Sequence, residues 1–226
     1  MIIYGDFTCA TCYLASWRAD LLDGTPQAVD WRAVEHQPSL PLTGLRPARP
    51  ELEGLNSRWG AMASLRMPGE VVPGRSPSFV ASTQAAVAGY AEAYGAGVAE
   101  RARRTLFRAY WVKGLDIGNP EVLRVLLGDT IRNGISSSQP LHEWGYAVTS
   151  ARGPVTTAAF HLIRDWRKQW GELGSVREPV LVGEDGSTAT GAAVLTELER
   201  RLAGHPADHH ELRALAPRQQ SGTFWT

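Results

Sequence analysis

Short apolar runs near both ends of the chain flank a long segment in which apolar residues follow helical spacing. The run at 2–4 predicts a strand, and Leu14, Trp17 and Leu21 then recur at the three- and four-residue steps of one helical face. A glycine and a proline end that helix. Partial alternation over 29–34 predicts a second strand, so the first quarter of the chain has the pattern of a parallel βαβ unit.

The middle of the chain, from about residue 55 to residue 170, has helical periodicity and little strand character. Glycines interrupt its alanine-rich stretches. Asn119 followed by Pro120 is a strong helix start, because asparagine caps free N–H groups and proline fits the first helical position. The predicted helices of this block cover 82–94, 98–111, 122–132 and 154–170.

Strand character returns after the helical block. An apolar run at 179–182 and a threonine-containing run at 187–190 flank a Glu-Asp-Gly turn, which is the pattern of a β-hairpin. An amphipathic helix is predicted over 192–202. The polar segment 204–226 is a C-terminal tail whose order is left open. The predicted element order is therefore βαβ, a helical block, and ββα.

Both cysteines of the chain, Cys9 and Cys12, lie at C-x-x-C spacing where the first strand gives way to the first helix. Free N–H groups and the macrodipole at a helix N-terminus stabilise a thiolate, and two thiols on a first turn can close a short disulfide. This placement predicts redox chemistry. Cys9 would be an exposed nucleophile that forms a mixed disulfide, and Cys12, deeper in the helix, would resolve it.

These features resemble the DsbA-like thiol–disulfide oxidoreductases, especially their FrnE-like cytoplasmic branch. Residues 6–14 resemble the C-x-x-C segment of that branch, and residues 110–120 are similar to a signature of its insertion domain. Glu178 and Pro179 match the family's cis-proline loop, which faces the cysteines. The resemblance covers about residues 1–203 and implies an α/β fold, namely a thioredoxin fold with a large all-helical insertion between its two halves.

The implied domain organisation has three parts. Residues 1–45 and 172–203 would form the thioredoxin-fold domain, residues 46–171 the helical insertion, and residues 204–226 the tail. The resemblance also implies an enzyme: a dithiol–disulfide oxidoreductase or isomerase that acts on thiol or disulfide substrates, either proteins or small molecules.

The same resemblance assigns substrate-binding roles around the cysteines. Pro179, if cis, leaves the backbone of Glu178 free to pair with an extended substrate, and Ala10 and Thr11 lie beside the attacking sulfur. The family usually has proline there, followed by an aromatic residue or histidine. Losing histidine removes a positive neighbour, so we expect a less oxidising site. The Glu178 carboxylate would raise the thiol pKa by repulsion. Asp6 is a second candidate for proton handling and equally a turn residue.

Two alternatives keep the fold and change the chemistry. The kappa-class glutathione transferases and the 2-hydroxychromene-2-carboxylate isomerases share this insertion architecture and use glutathione in the same cleft. Their motif usually carries serine where this chain has Cys9, and the complete dithiol favours disulfide exchange. The other alternative is a thioredoxin-fold module whose thiols are idle.

A third alternative is a zinc site built on the two cysteines. A structural zinc ion needs four ligands, and the remaining two would come from the six histidines. His205 and His209 are one helical turn apart but lie in the tail. His36, His142 and His161 are interpreted as surface or structural residues. No metal is therefore expected.

Composition limits the range of partners. The 226 residues carry 23 basic and 23 acidic side chains, so no net field attracts nucleic acid or an anionic membrane. The chain begins without a secretory-signal pattern, which predicts a cytoplasmic protein. No cofactor is expected beyond glutathione as a co-substrate. The oligomeric state is left open, with a homodimer as one candidate.

Overall fold

The computed structural model describes residues 1–46, 48–73, 77–134, 147–174 and 178–204, and within them a mixed α/β fold built on one four-stranded sheet. The strand order is β2-β1-β3-β4, with β2 parallel to β1 and with β3 antiparallel to both β1 and β4. The predicted βαβ unit and C-terminal hairpin are thus confirmed. The strands are β1 (Ile2–Gly5), β2 (Asp30–Ala33), β3 (Val180–Val182) and β4 (Thr188–Thr190).

Seven helices are present among the described residues, and they confirm the predicted helical insertion between the two halves of the sheet. Asn119 caps α5 by accepting a hydrogen bond from Glu121 N, with Pro120 as the first helical residue. Thr156 caps α6 in the same way. The helices are α1 (Ala10–Leu21), α2 (Arg49–Ala63), α3 (Gln84–Gly95), α4 (Ala99–Trp111), α5 (Pro120–Arg132), α6 (Thr157–Glu172) and α7 (Ala192–Ala203).

Helix α1 is buried on more sides than a single amphipathic face predicts. Leu14 is fully buried, but Trp17 and Leu21 are only partly so, and the buried set includes Arg18. The reason is that α1 lies between α4 and α7 and also contacts α2. The Arg18 guanidinium pairs with the Glu70 carboxylate at 2.7 Å. It also donates to the carbonyl oxygens of Leu65 and Leu195, which tie α1 to the insertion and to α7.

The helical block packs around α3, which contacts α4, α5 and α6. Most residues of α3 are small and buried, so neighbouring helices approach closely: a side chain at Gly89 would meet Leu127 and Val148. Tyr90 extends from α3 to the sheet, where its hydroxyl donates to Trp31 O at 3.0 Å. The insertion is therefore joined to the sheet by shared core rather than by a linker. The domain limits themselves stay a prediction.

The sequence predictions for several histidines and for most of the C-terminal tail are not tested by the structure. His142, His205, His209, His210 and the tail from residue 205 onward lie outside the described residues. Within the described ranges, no helix is long and apolar enough to cross a membrane.

Candidate active site

The loop between β1 and α1 places Cys9 at the helix N-cap. Cys9 has an extended backbone conformation, and its Sγ accepts a hydrogen bond from Cys12 N at 3.3 Å. Gly5, at the end of β1, is required by close packing, because a Cβ there would lie 2.4 Å from the Trp31 ring and 3.2 Å from Cys12 Sγ. The sequence thus brings the first sulfur to one of the free N–H groups at the helix start.

The two thiols are free and differ in their exposure to water. Cys9 is partly exposed, whereas Cys12 is fully buried under the helix start. Burial raises the pKa of the Cys12 thiol well above its usual value, and the neighbouring Cys9 and Glu178 act in the same direction. Cys12 is therefore held as a neutral thiol at neutral pH, while Cys9 is the sulfur that a substrate can reach.

Glu178 and Pro179 face the cysteine loop from the start of β3. The peptide bond between them is cis, and the Glu178 carbonyl oxygen accepts a hydrogen bond from the Cys9 thiol at 3.5 Å. Antiparallel pairing of β3 with β1 sets Val180 opposite Tyr4, which brings this loop to the edge where β1 ends. The Glu178 side chain is mostly buried. Burial raises its pKa, against the opposing effects of its own backbone N–H and of His36.

His36 is the functional candidate that the sequence analysis missed. It was interpreted as a surface or structural residue, but it lies in the cleft beside Cys9, with Nδ1 at 2.8 Å from Glu178 Oε2. Its ring also packs edge-on against Trp170. The sequence does indicate that His36 lies near Cys9. His36 follows β2, and the carboxyl ends of parallel strands lie at the same edge of a sheet, which here is the edge where β1 leads to Cys9.

Asp6 holds this edge together as a structural residue. Its side chain is 1% exposed, and both carboxylate oxygens are used. Oδ1 accepts from the backbone N and the hydroxyl of Thr8, each at 2.7 Å, and Oδ2 accepts from His36 N at 2.9 Å and from Thr83 Oγ1 at 3.0 Å. The structural interpretation is favoured over proton handling, because these bonds join the cysteine loop, the exit of β2 and the start of α3.

An aromatic cleft of about 340 Å³ opens beside Cys9. Trp59 and Trp111 are stacked with ring centroids 4.5 Å apart, and Trp111 Nε1 donates to Phe7 O at 3.0 Å. No arginine or lysine is among the described residues that line the cleft. The lining residues are Thr8, Cys9, Ala10, Thr11, His36, Gln37, Trp59, Met62, Pro77, Phe79, Val80, Tyr110, Trp111 and Glu178.

The sequence-predicted site residues are therefore mostly gathered in one place. Cys9, Ala10, Thr11 and Glu178 line the cleft. Cys12 lies buried beneath Cys9, and Pro179 adjoins the cleft through Glu178 without lining it. Among the described residues, no group of three or more histidine, cysteine, aspartate or glutamate side chains could hold a metal ion.

Comparison with protein-family models and with curated proteins gives no match. Solved structures do match. The probable DsbA oxidoreductase SCO1869 from Streptomyces coelicolor has a TM-score of 0.65 at 16% identity, over 90% of this chain and 88% of that chain. The cytosolic disulfide reductase DsbM from Pseudomonas aeruginosa has a TM-score of 0.56 at 17% identity, over 91% of this chain and 100% of that chain.

A third similar structure is a 2-hydroxychromene-2-carboxylate isomerase. Its TM-score is 0.57 at 17% identity, over 90% of this chain and 95% of that chain. The resemblance to the DsbA-like proteins drawn from the sequence is thereby confirmed at the level of the fold. At these identities the fold alone is shared, and the same fold carries both disulfide exchange and isomerisation.

Proposed function

We propose that this protein is a thiol–disulfide oxidoreductase in which Cys9 is the nucleophile and Cys12 the resolving thiol. The observation that carries the proposal is the difference in burial between the two sulfurs: Cys9 lines an open cleft, whereas Cys12 is fully buried behind it. Such a pair lets one sulfur meet the substrate while the other is reached only by Cys9 itself. Ala10, Thr11 and the Glu178 backbone would contact the substrate.

The exchange proceeds in two balanced steps. The Cys9 thiolate attacks a substrate disulfide, which forms a Cys9–substrate disulfide and releases one substrate sulfur as a thiolate that takes up a proton. Cys12 then attacks Cys9 Sγ and passes its thiol proton to the leaving substrate sulfur, which departs as the second thiol and leaves a Cys9–Cys12 disulfide. Two electrons pass from the protein to the substrate, and two equivalents of a thiol such as glutathione restore the dithiol and leave as a disulfide.

The electrostatics of the cleft favour the reducing direction. His36 is the one group with a titratable positive charge among the described lining residues, and it pairs with Glu178. A site that stabilises its thiolate weakly is a weak oxidant, because a strong oxidant depends on a stabilised reduced form. This direction suits a cytoplasmic setting, and DsbM, a structural neighbour, is described as a cytosolic disulfide reductase. Assembly as a homodimer stays a prediction.

The test is insulin reduction with a small dithiol as electron donor. We expect Cys9→Ser to lose activity by at least about a hundredfold, since the attacking sulfur is gone. Cys12→Ser should instead accumulate a stable mixed disulfide with the substrate, visible by mass spectrometry. Ser64→Ala, which removes an exposed hydroxyl at the end of α2, serves as the control. Equal activity of Cys9→Ser and wild type would contradict the nucleophile assignment.

A second candidate function is glutathione-dependent isomerisation or transfer. The isomerase neighbour favours it, and one structure of DsbM is described as containing glutathione. In that case Cys12→Ala would retain activity, because glutathione supplies the working thiol. Disulfide exchange is favoured here because the chain carries the complete dithiol, Cys9 and Cys12, at the cleft.

A further inference from the structure

A second and larger cleft, of about 820 Å³, lies on the other side of the segment that follows β2. Its walls come from β2 and residues 33–38, from α3, from the loop at 152–154 and from α6. The floor is apolar: Val34, Val87 and Ala88 are buried there. Phe160, on α6, also lines the cleft although its side chain is 55% exposed.

Positive charge is concentrated at the rim of this cleft. Arg164 and Lys168 have acidic neighbours, at 2.9 Å to Asp165 and 3.9 Å to Glu172 respectively. Arg152 and Arg167 form no ion pair with a carboxylate among the described residues, although the charge of Arg167 offsets part of the rise that burial causes in the pKa of Glu35. Glu35 is the single acidic side chain among the described residues that line the cleft, and the net charge of the whole chain is zero. The charged residues lining the cleft are Glu35, Arg152, Arg164, Arg167 and Lys168.

Arg152 is held rigidly in an unusual backbone conformation. Its φ of 67° lies in the left-handed region, which glycine or asparagine adopts more readily than arginine. Hydrogen bonds from Thr149 N to Gly153 O (2.9 Å) and from Gly153 N to Thr149 Oγ1 (3.0 Å) close the loop around it. These bonds fix the position from which the Arg152 side chain extends to the rim of the cleft.

The next two residues of the loop are fixed by α3. The Glu92 carboxylate accepts from Val155 N at 2.6 Å, from Thr156 N at 2.7 Å and from Thr156 Oγ1 at 2.8 Å. Glu92 is 3% exposed, so this anchor lies in the core. The loop that carries Arg152 is therefore anchored to the core, which limits the backbone ordering needed to bind a partner there.

This cleft adjoins the catalytic one. His36 and Gln37 line the cleft of Cys9, and their sequence neighbours Glu35 and Pro38 line the basic cleft. The segment 35–38 is therefore a wall shared by both clefts, which places the basic cleft next to the site where a substrate cysteine meets Cys9.

We propose that the basic cleft binds an acidic segment, with an apolar side chain among its carboxylates, of the protein that exchanges disulfides at Cys9. The apolar side chain packs beside Phe160, and the carboxylates pair with Arg152 and Arg167. A polypeptide suits the cleft better than a small molecule because Phe160 and the basic side chains of α6 are exposed, whereas small-ligand pockets enclose most of the ligand surface. This inference rests on the proposed function for its biological meaning.

Direct binding tests the cleft independently of thiol chemistry. Two fluorescent, cysteine-free peptides of equal length are compared, one with alternating aspartate and leucine and one with asparagine in place of aspartate. At low salt we expect the acidic peptide to bind more tightly, and the variant Arg152→Gln/Arg167→Gln to weaken its binding by about three- to tenfold. The control Arg101→Gln/Lys113→Gln makes the same change in net charge at exposed positions outside both clefts and should bind as wild type does.

Kinetics with disulfide peptides test whether binding in the basic cleft contributes to disulfide exchange at Cys9. For a peptide with aspartates flanking its cysteine, the Arg152→Gln/Arg167→Gln variant should raise KM and leave kcat unchanged. Turnover of a small aromatic disulfide should not change.

Three results would overturn the inference: equal binding of both peptides, binding unaffected by loss of the two arginines, or saturable binding of octanoate with no peptide binding. If wild type fails to turn over any disulfide while the acidic peptide still binds through the arginines, the proposed function fails and the binding site stands.

Discussion

At the residue scale, the difference in depth between Cys9 and Cys12 predicts selective chemistry. Cys12 is fully buried and burial raises its pKa, so both access and thiolate formation are suppressed. In the reduced native protein, iodoacetamide should modify Cys9 at least about tenfold faster than Cys12. Peptide mass spectrometry after timed quenching measures both rates, with the urea-unfolded protein as the control in which the rates converge. Equal native rates would mean that the helix start opens readily.

Glu178 predicts a pH dependence of stability whose sign is unusual for a carboxyl group. Burial raises its pKa above the ordinary value of 4.5, so the folded state binds the proton more tightly than the unfolded chain does. The stabilising contribution is present below pH 4.5 and is lost as the pH rises through the folded pKa. Glu178→Gln should therefore raise the Tm at neutral pH, and the difference should shrink toward pH 4.5.

Thermal unfolding across this pH range measures the effect. Glu172→Gln is the matched control, since that side chain is 63% exposed and its one ion pair, with Lys168, is long at 3.9 Å. We expect no change in its Tm. A lower Tm for Glu178→Gln at neutral pH would show that the contact with His36 outweighs the cost of burial.

Some residues of the site could be predicted from the sequence, and others could not. The two cysteines could be assigned because spacing and position along a helix are local properties. The position of His36 follows from the predicted pairing of β2 with β1, but its partner could not be assigned, because Glu178 arrives from far along the chain. Nor does any periodicity predict that Arg18 is buried, because its partner Glu70 lies in an irregular segment.

At the scale of elements, the Arg18–Glu70 pair links α1 to the insertion and to α7. Both side chains are nearly inaccessible, at 1% and 2% exposure. Arg18→Met should lower the free energy of unfolding by about 3–5 kcal/mol, because it leaves a buried carboxylate without its partner. Adding Glu70→Gln should recover part of that loss. Urea unfolding of the single and double variants measures both changes.

The control for this prediction is another arginine–glutamate pair, on α7. Arg200 contacts Glu197 at 2.7 Å, but the arginine is 69% exposed and solvent screens the pair. Arg200→Met should therefore have a much smaller effect than Arg18→Met, although the contact distances match. Similar losses for both variants would contradict the argument from burial.

Most helices and strands could be predicted because the residues that begin and end them act on neighbours only a few positions away. The asparagine cap and the proline of α5, the threonine cap of α6 and the glycine turn between β3 and β4 all act over a few residues. The face that α1 buries was less predictable. Trp17 and Leu21 line a half-buried groove beside α4. They are not fully buried because α1 packs against two neighbouring helices, α4 and α7, rather than against one.

At the scale of the whole molecule, the redox state should change the stability of the fold. Since no arginine or lysine lies among the described residues that line the cleft, we expect a reduction potential nearer to about −270 mV, as in thioredoxin, than to about −120 mV, as in DsbA. The lower the potential of the folded protein, the more folding stabilises the disulfide form. The oxidised protein should therefore have the higher Tm. Equilibration with glutathione and calorimetry of both forms measure the two quantities, and a higher Tm for the reduced form would identify an oxidant.

The pairing of β1 with β3 has a consequence for biosynthesis. Ile2 pairs with Val182, so β1 gains this neighbour only after the whole insertion has been made. Contacts of such long sequence separation close late and slow folding. Because chains emerge from the ribosome N-terminus first, both thiols appear well before Glu178. A nascent chain thus exposes a C-x-x-C pair that lacks the loop facing it until the final hairpin docks.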